Sequence, residues 1–216
     1  VNKGQSNFDE ISYEYYRDRD VATEAFKSGA FDLRAENQSK RWVTAYDFPA
    51  LKEGKVKKIL IPHERPTGMQ GFVFNIRKDF FSDPKVRLAI NYAWDFEWTN
   101  KTLMYNAYKR TNSYFSNSEL SSSGTLPEGE ELKILQKFKR QVPKQVFDEV
   151  YKAPQTDGSG NNRKNLRLAL KLLREAGWAV KDGKLVNRNG IPLKFELLIA
   201  YPSIERLALP LKQSLK

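Results

Sequence analysis

The stretch 69–98, MQGFVFNIRKDFFSDPKVRLAINYAWDFEW, places an apolar run, a turn and an amphipathic segment in direct succession. Residues 69–76 are apolar at nearly every position and include aromatic and β-branched side chains, which is typical of a central strand covered on both faces. Asp83 and Pro84 then predict a helix start, because Asp caps free backbone N–H groups and Pro lacks a donor where none is needed. The following apolar positions share one helix face: Val86, Ala89, Ile90 and Ala93.

Strands and helices are mixed along the rest of the sequence. Predicted strands cover 9–17, 30–34, 56–62, 184–187 and 192–200, with an Asn189-Gly190 turn joining the last two. One predicted helix begins at the cap Asp20. Another covers 39–54, with a break at Pro49. Further helices are predicted over 97–106, 128–140, 163–176 and the segment after Pro202. This order predicts one α/β lobe over residues 1–216, with a mixed, mostly parallel sheet flanked by helices. Because the chain stops inside an apolar helix, we expect the C-terminus to be truncated.

The net charge of the chain gives only a weak indication of its function. The net charge is +11 and the isoelectric point is near 9.6. Such a balance indicates either an acidic partner or a generally basic surface. The Lys and Arg residues are spread along the sequence without a run of five or more like charges, which is typical of a solvated basic surface. A basic nucleic-acid-binding protein therefore stays an alternative that depends on charge alone.

Cysteine and histidine usage excludes several chemistries. The sequence contains no Cys and one His, so disulfides, thiolate catalysis, zinc–thiolate sites and multi-His metal sites are excluded. A hydrolase using His63, with Glu64 as the local carboxylate, is a further hypothesis, but a loop His bonded to backbone is more common. We predict no enzyme, no catalytic residue, no metal and no cofactor.

A band of aromatic and amide side chains is the strongest candidate for a binding site. Aromatic walls with a few fixed polar groups suit a cleft for a flexible organic ligand, and Arg110 is suited to a bidentate contact with a carboxylate. The polar arm 107–127 supplies most of the band. The candidate ligand-binding residues are Gln70, Phe72, Trp98, Tyr108, Arg110, Asn112, Tyr114 and Asn117.

Three blocks of the sequence resemble family 5 extracellular solute-binding proteins, the oligopeptide- and dipeptide-binding components of ABC importers. The blocks are FDEISYEYYRDRDVATEAFKSGAFDL, GFVFNIRKDFFSDPKVRLAINYAWDFEW and NNRKNLRLALKLLREAGW. In the second block the matching positions are Asn75, Asp83, Val86, Arg87, Ala89, Tyr92, Ala93 and Asp95. The segment DFEWTNKTLMYNAYKRTNSYFSNSELSSSG is similar to the YejA-like branch, which is associated with oligopeptides, murein-derived peptides and a peptide-nucleotide antibiotic.

The resemblance implies a type II periplasmic-binding-protein lobe, the second of two, with peptide trapped between lobes and delivered to membrane permease subunits. It implies a monomeric periplasmic receptor, exported by a signal peptide that is not in this sequence, and no catalysis. It transfers no ligand contact, so the eight candidate residues depend on the chemistry of the band alone.

Overall fold

The computed structural model describes residues 3–4, 7–122 and 124–216. The chain divides into two compact units, an N-terminal unit Val1–Ile61 and a C-terminal unit Pro62–Lys216. No helix among the described residues is long and apolar enough to cross a membrane.

The described residues of the N-terminal unit form the helices α1 (Arg19–Lys27), α2 (Ser39–Thr44) and α3 (Pro49–Lys52). Phe26 is the centre of its aromatic cluster. The Phe26 ring lies 5.5 Å from that of Phe31 and 6.4 Å from that of Phe48, measured between centroids. The interruption between α2 and α3 confirms the break predicted at Pro49, which occupies the first position of α3.

The start of α1 differs from the prediction. Asp18, not Asp20, is the N-cap, and its carboxylate accepts hydrogen bonds from the backbone N–H of Asp20 at 2.7 Å and of Val21 at 3.0 Å. This register turns Ala22 inward and leaves Val21 57% exposed. Gly29 follows the helix with a φ of +81°, the left-handed conformation predicted for a helix stop.

The C-terminal unit contains the remaining elements: α4 (Asp79–Ser82), α5 (Pro84–Ala93), α6 (Phe96–Leu103), α7 (Gly129–Lys137), α8 (Gln145–Asp148), α9 (Arg163–Glu175), β1 (Ala179–Lys181), β2 (Lys184–Val186) and α10 (Pro202–Ser214). Its core lies where α5 packs against α9. All four residues predicted for the apolar face of α5 are buried: Val86, Ala89, Ile90 and Ala93. On α9, Ala169 and Leu173 are buried, whereas Leu170 is 40% exposed.

The hairpin near residue 184 forms with a different partner. The strand at 184–186 pairs antiparallel with Ala179–Lys181, not with 192–200, and the turn is Asp182-Gly183 with φ values of +50° and +71°. An Asp-Gly pair suits such a turn because both residues tolerate positive φ. The predicted second turn also exists, since Asn187 N–H donates to Ile191 O at 2.9 Å. The isolated bridge Val186–Pro192 links it to the next segment, where Leu193 N–H donates to Leu185 O at 2.8 Å.

The mixed, mostly parallel sheet is not found in the described residues, whose one two-stranded sheet is antiparallel. The predicted strands 9–17, 30–34, 56–62, 69–76 and 192–200 are not assigned as strands. A strand requires hydrogen-bonding partners as well as side-chain alternation. The alternation is present in 193–199, where Leu197 is half-buried against the core while Leu198 is 97% exposed.

Candidate functional site

The corner between α5 and α6 positions the polar groups of the candidate site. Asp95 is the N-cap of α6, and its Oδ1 accepts a hydrogen bond from the backbone N–H of Trp98 at 3.0 Å. The side chain is 8% exposed. Asp95 and Glu97 both lie at the N-terminal end of α6, where the helix dipole favours negative charge.

Thr156, from the loop 153–162, connects these two carboxylates. Its hydroxyl lies 2.5 Å from Asp95 Oδ1 and 3.1 Å from Glu97 Oε2, and its backbone N–H donates to Glu97 Oε2 at 2.9 Å. The two acids approach one hydroxyl because Asp95 is in the cap position, outside the helical spacing that would separate them. The loop is thereby fixed on the N-terminus of α6.

Asn162 fixes the other end of the same loop. It is the N-cap residue of α9, but its side chain makes no capping hydrogen bond. Its amide instead donates to Tyr92 O at 3.0 Å and Ala93 O at 3.3 Å. These are carbonyls of the last turn of α5, which lack partners within the helix. Asn162 therefore satisfies carbonyl groups at the C-terminal end of α5. The spacing of residues in the sequence does not indicate this pairing.

The first part of the polar arm is bonded to α5, α6 and the loop 153–162. Asn100 on α6 brackets Tyr108, donating to its carbonyl at 2.8 Å and accepting from its N–H at 3.2 Å. Arg110 donates to Asn91 Oδ1 at 2.5 Å, and Asn112 Oδ1 accepts from Ala153 N–H at 3.1 Å. Three of the predicted residues, Tyr108, Arg110 and Asn112, are thus held in succession along one wall.

Arg110 is a candidate residue whose pKa is perturbed. Burial lowers the pKa of its guanidinium, while the neighbouring Tyr151 and Glu97 act in the opposite direction. The guanidinium also lies over the Phe96 ring, 5.4 Å from the centroid. Arg110 is thus fixed by the Asn91 amide, the Phe96 ring and the charge of Glu97. Part of its N–H donors remains unused.

The tip of the arm contacts a different loop. Asn117 has a φ of +64° and donates to His63 O at 3.2 Å and Arg65 O at 2.8 Å. Thr67 N–H donates to Ser116 O at 2.8 Å. Tyr114, between the two attachment points, has a side chain that is 72% exposed. Tyr114 is therefore exposed to solvent on a loop that is held at both ends.

The two candidates on the apolar run lie apart from the arm. Phe72 packs on the core, with its ring centroid 6.1 Å from that of Trp94 in an edge-to-face arrangement, whereas Gln70 is exposed. In residues 7–122 and 124–216, no hydrogen bond or ring contact joins either of them to the arm. The structure brings Tyr108, Arg110 and Asn112 together along one wall; Gln70 and Phe72 are not joined to it by these contacts.

Trp98, the remaining candidate, packs on the loop 153–162. A Cβ placed on Gly160 would lie 2.9 Å from Trp98 Cδ1 and 3.0 Å from Nε1. Only a glycine permits this approach, because its φ of +83° also disfavours any side chain there. The prediction from sequence missed the contacts of Gly160 and Thr156 and the hydrogen bonds from Asn162 to α5; the Gly- and Asx-rich composition of the loop was the only signal of their role.

His63 has no catalytic arrangement in this region. Its Nδ1 accepts the backbone N–H of Arg65 at 3.2 Å, which is the loop role expected from sequence. In the part of the chain that the structure describes, no group of three or more His, Cys, Asp or Glu side chains is arranged to hold a metal ion.

Comparison with known protein families shows which family this chain belongs to. The family described as bacterial extracellular solute-binding proteins, family 5 Middle, matches residues 1–216. The chain belongs to this family. Membership implies the type II periplasmic-binding fold and a solute-binding protein, in agreement with the resemblance seen in the three sequence blocks.

Relatives place this family 5 chain in the YejA-like branch. It is 49% identical, over its whole length, to the probable peptide-binding protein YejA of Agrobacterium fabrum and 45% identical to YejA of Escherichia coli K12. It is 39% identical, over 98% of its length, to the peptidoglycan-binding protein YepA of Agrobacterium fabrum. The chain spans 36% of the length of each of these three relatives.

Proposed function

We propose that this chain forms most of the second lobe of the substrate-binding component of an ABC importer for oligopeptides. The observation that carries the proposal is the family match over residues 1–216, together with 49% identity to a relative named as a probable peptide-binding protein. The receptor captures a peptide between two lobes and delivers it to membrane permease subunits. It acts in the bacterial periplasm as a monomer, after export by a signal peptide.

Murein-derived peptides are one proposed class of ligand. The support is the 39% identity to a relative named as peptidoglycan-binding. Such peptides combine flexible backbone, amide groups and carboxylates, which suit a wall of aromatic and amide side chains with a fixed Arg. Peptide-nucleotide antibiotics are a second class within the same chemistry.

The eight candidate residues divide into two roles in this proposal. Gln70, Tyr108 and Tyr114 have side chains that are exposed and without a hydrogen-bond partner among the described residues, so they are available to a ligand. Trp98, Arg110, Asn112 and Asn117 already contact the chain and hold the wall in place, and Arg110 retains donors for a ligand carboxylate. Phe72 packs on the core against Trp94.

The extended segments complete the proposed fold. We propose that 69–76 and 192–200 pair as strands of a mixed, mostly parallel sheet flanked by the helices, within one lobe that carries the polar arm 107–127. Supporting this, Phe72 and Phe74 pack on the core while Val73 between them is 96% exposed, the alternation of a strand. Amide hydrogen exchange tests it: protection of these backbone N–H groups by at least about a hundredfold supports pairing, and free exchange contradicts it.

The function is tested with the protein as its cell produces it. Native mass spectrometry identifies any co-purified ligand, and isothermal titration measures binding of a peptide mixture that includes murein peptides. We expect saturable heat with peptides at a 1:1 ratio. No heat with any peptide, alongside tight binding of a sugar or a metal, would overturn the proposal.

The nucleic-acid alternative is not favoured by the family match. Its test is a titration of single- and double-stranded oligonucleotides at low and high salt. A salt-dependent affinity that exceeds the affinity for peptides would restore it.

A further inference from the structure

Helix α9 carries five cations, and all of them lie on the side that faces solvent. Successive residues of an α-helix are rotated by about 100°, which places the buried residues Asn165, Ala169 and Leu173 together on one side. By the same geometry the five cations fall within an arc of about 100° on the opposite side. All five are exposed. We call this surface the basic face of α9; it consists of Arg163, Lys164, Arg167, Lys171 and Arg174.

The charge of the basic face is not neutralised by its neighbours. In residues 7–122 and 124–216, no side chain of this face forms a hydrogen bond or an ion pair. Glu175 is the one acid of α9, and it pairs at 3.2 Å with Lys85 of α5, a helix whose sequence contains no acid. The acids that precede the two helices are engaged by backbone: Asp83 caps α5, and Asp157 accepts the N–H of Ser159 at 2.9 Å.

This arrangement of charge lowers the stability of the helix itself. Arg163 and Lys164 lie in the first turn of α9, which contains no acid, and the positive end of the helix dipole disfavours cations there. Arg163, Arg167 and Lys171 follow one another at a spacing of four residues, at which like charges repel. Acids at some of these positions would stabilise α9. The pattern therefore indicates an anionic partner that the basic face contacts.

Exposed leucines border the basic face on both sides. Leu168 is 38% exposed and Leu170 is 40% exposed, and the helical rotation places them at opposite edges of the cations. Leu168 also lines an apolar groove with Leu88 and Tyr92 of α5. Cations flanked by apolar side chains are typical of a helix that lies at a membrane interface, where Lys and Arg contact anionic headgroups and apolar side chains reach the acyl boundary.

Nucleic acid suits the basic face less well. Proteins that bind single strands combine cations with aromatic rings on which the bases stack, and amide side chains are common readers of base edges in duplexes. The exposed positions of α9 contain neither an aromatic nor an amide side chain. Leucines at the edges of the face favour a partner that has an apolar layer beneath its charges.

We propose that the basic face of α9 binds an anionic membrane surface. The five cations contact lipid phosphate groups, and Leu168 and Leu170 contact the acyl boundary. In a receptor with the proposed function, this contact concentrates the protein at the membrane that holds the permease subunits. The contact itself involves neither peptide nor permease, so it is tested independently of that function.

Vesicle co-sedimentation of the protein as its cell produces it measures the contact. One set of vesicles contains phosphatidylcholine alone, and the other contains phosphatidylcholine with about one third phosphatidylglycerol, which supplies the negative surface potential. We expect saturable binding to the second set only, with half-saturation on the order of 1 mM lipid at about 0.1 M salt. Binding should weaken as the salt concentration rises. Absence of binding, or binding that does not depend on phosphatidylglycerol, would overturn the proposal.

Two charge-matched double variants assign the binding to α9. Arg167→Gln with Lys171→Gln removes two cations from the middle of the basic face, and Gln keeps a high helix propensity. Arg140→Gln with Lys139→Gln removes two exposed cations that have no ion pair in the described part of the chain. We expect the first pair to raise the half-saturating lipid concentration at least about tenfold and the second to change it less than about twofold. Equal effects would reduce the attraction to net charge and refute the site.

Oligonucleotides test the choice of partner. A duplex and a single strand are titrated at the salt concentration of the vesicle experiment. We expect weaker binding than to phosphatidylglycerol vesicles at equal phosphate concentration. Tighter binding that is lost in Arg167→Gln with Lys171→Gln would assign the basic face to nucleic acid and overturn the membrane assignment.

Peptide titration separates this proposal from the proposed function. The basic face shares no residue with the eight candidate residues, so we expect Arg167→Gln with Lys171→Gln to bind peptides as the parent does. If peptides bind and anionic vesicles do not, the membrane contact is refuted and the receptor role stands. If anionic vesicles bind and no peptide does, the receptor role fails and the membrane contact stands.

Discussion

The Thr156 hydroxyl lies 2.5 Å from Asp95 Oδ1, across a sequence separation of 61 residues. Asp95 is 8% exposed, so its carboxylate depends on partners in the protein. Replacing Thr156 with Val keeps the shape but removes the donor. We expect Thr156→Val to lower the free energy of unfolding by about 1–3 kcal/mol, measured by urea denaturation.

Thr102→Val is the control for that substitution. Thr102 is exposed on α6, and its hydroxyl donates to Trp98 O at 2.7 Å, a carbonyl of its own helix. We expect a change within about 0.5 kcal/mol. Equal decreases in the free energy of unfolding for the two variants would show that the Thr156–Asp95 contact contributes no more than the hydrogen bond of Thr102.

Much of the helical part of the fold could be predicted because helix signals are local. Asp83-Pro84 and the spacing of Val86, Ala89, Ile90 and Ala93 lie within one segment, and the structure confirms the cap and the buried face. The sheet could not be predicted in the same way. Strand pairing joins distant segments, and alternation in 192–200 specifies a buried face without specifying a partner.

Gly160 and Gly190 offer a pair of substitutions that isolates the Trp98 contact. Both have positive φ, +83° and +79°, but a Cβ would meet Trp98 at 2.9 Å only at Gly160, and nothing within 4 Å at Gly190. We expect Gly190→Ala to cost about 1 kcal/mol from backbone strain. We expect Gly160→Ala to cost about 1–3 kcal/mol more, because the indole must move.

Thermal unfolding with near-UV circular dichroism is the measurement for this pair. The near-UV signal of Trp98 should change in Gly160→Ala and stay unchanged in Gly190→Ala. Equal unfolding temperatures for the two variants would contradict the packing of Trp98 on the loop 153–162.

Asp18 makes the N-terminal unit sensitive to acid. The backbone N–H groups of Val21 and Asp20 hold the pKa of the Asp18 carboxyl below its ordinary value of 3.8, with a smaller contribution from Arg41. Because the pKa is lower in the folded state, the Asp18 carboxylate stabilises the folded protein fully above pH 3.8. This stabilisation is lost as the pH falls through the pKa of the folded state. We expect the stability difference between the parent and Asp18→Asn to be constant from pH 7 to about pH 5 and to shrink below pH 3.8.

Trp42 is the reporter for this prediction, since it is the one Trp of residues 1–61. Its ring lies 6.2 Å from that of Tyr46, so its fluorescence follows unfolding of the N-terminal unit. Asp9→Asn, which removes an exposed carboxylate outside the helix cap, is the control for the change in net charge. The prediction is wrong if the Asp18→Asn difference is independent of pH down to pH 2.

The candidate site was predictable in its composition but not in the roles of its members. Aromatic and amide residues identify a wall, yet sequence does not distinguish Asn112, bonded to Ala153 N–H, from Tyr114, which is 72% exposed. Arg110 appeared to be a free ligand contact, whereas its nearest partner is Asn91, 19 residues before it. Side-chain partners across such separations are set by packing and leave no periodic signal.

Tyr114 gives the most direct test of the arm as a ligand surface. Its side chain is exposed and the backbone around it is fixed through Asn117 and Ser116, so removing the ring changes contact area without loosening the arm. Under the proposed function, we expect Tyr114→Ala to weaken peptide binding about tenfold, in the range of a single aromatic contact at an interface. Tyr13→Ala is matched in exposure, 75% against 72%, and lies outside the candidate site, so its affinity should equal that of the parent. Isothermal titration with the co-purified peptide measures both. If Tyr114→Ala binds as tightly as the parent while peptide binding itself persists, the ligand surface lies elsewhere on the receptor.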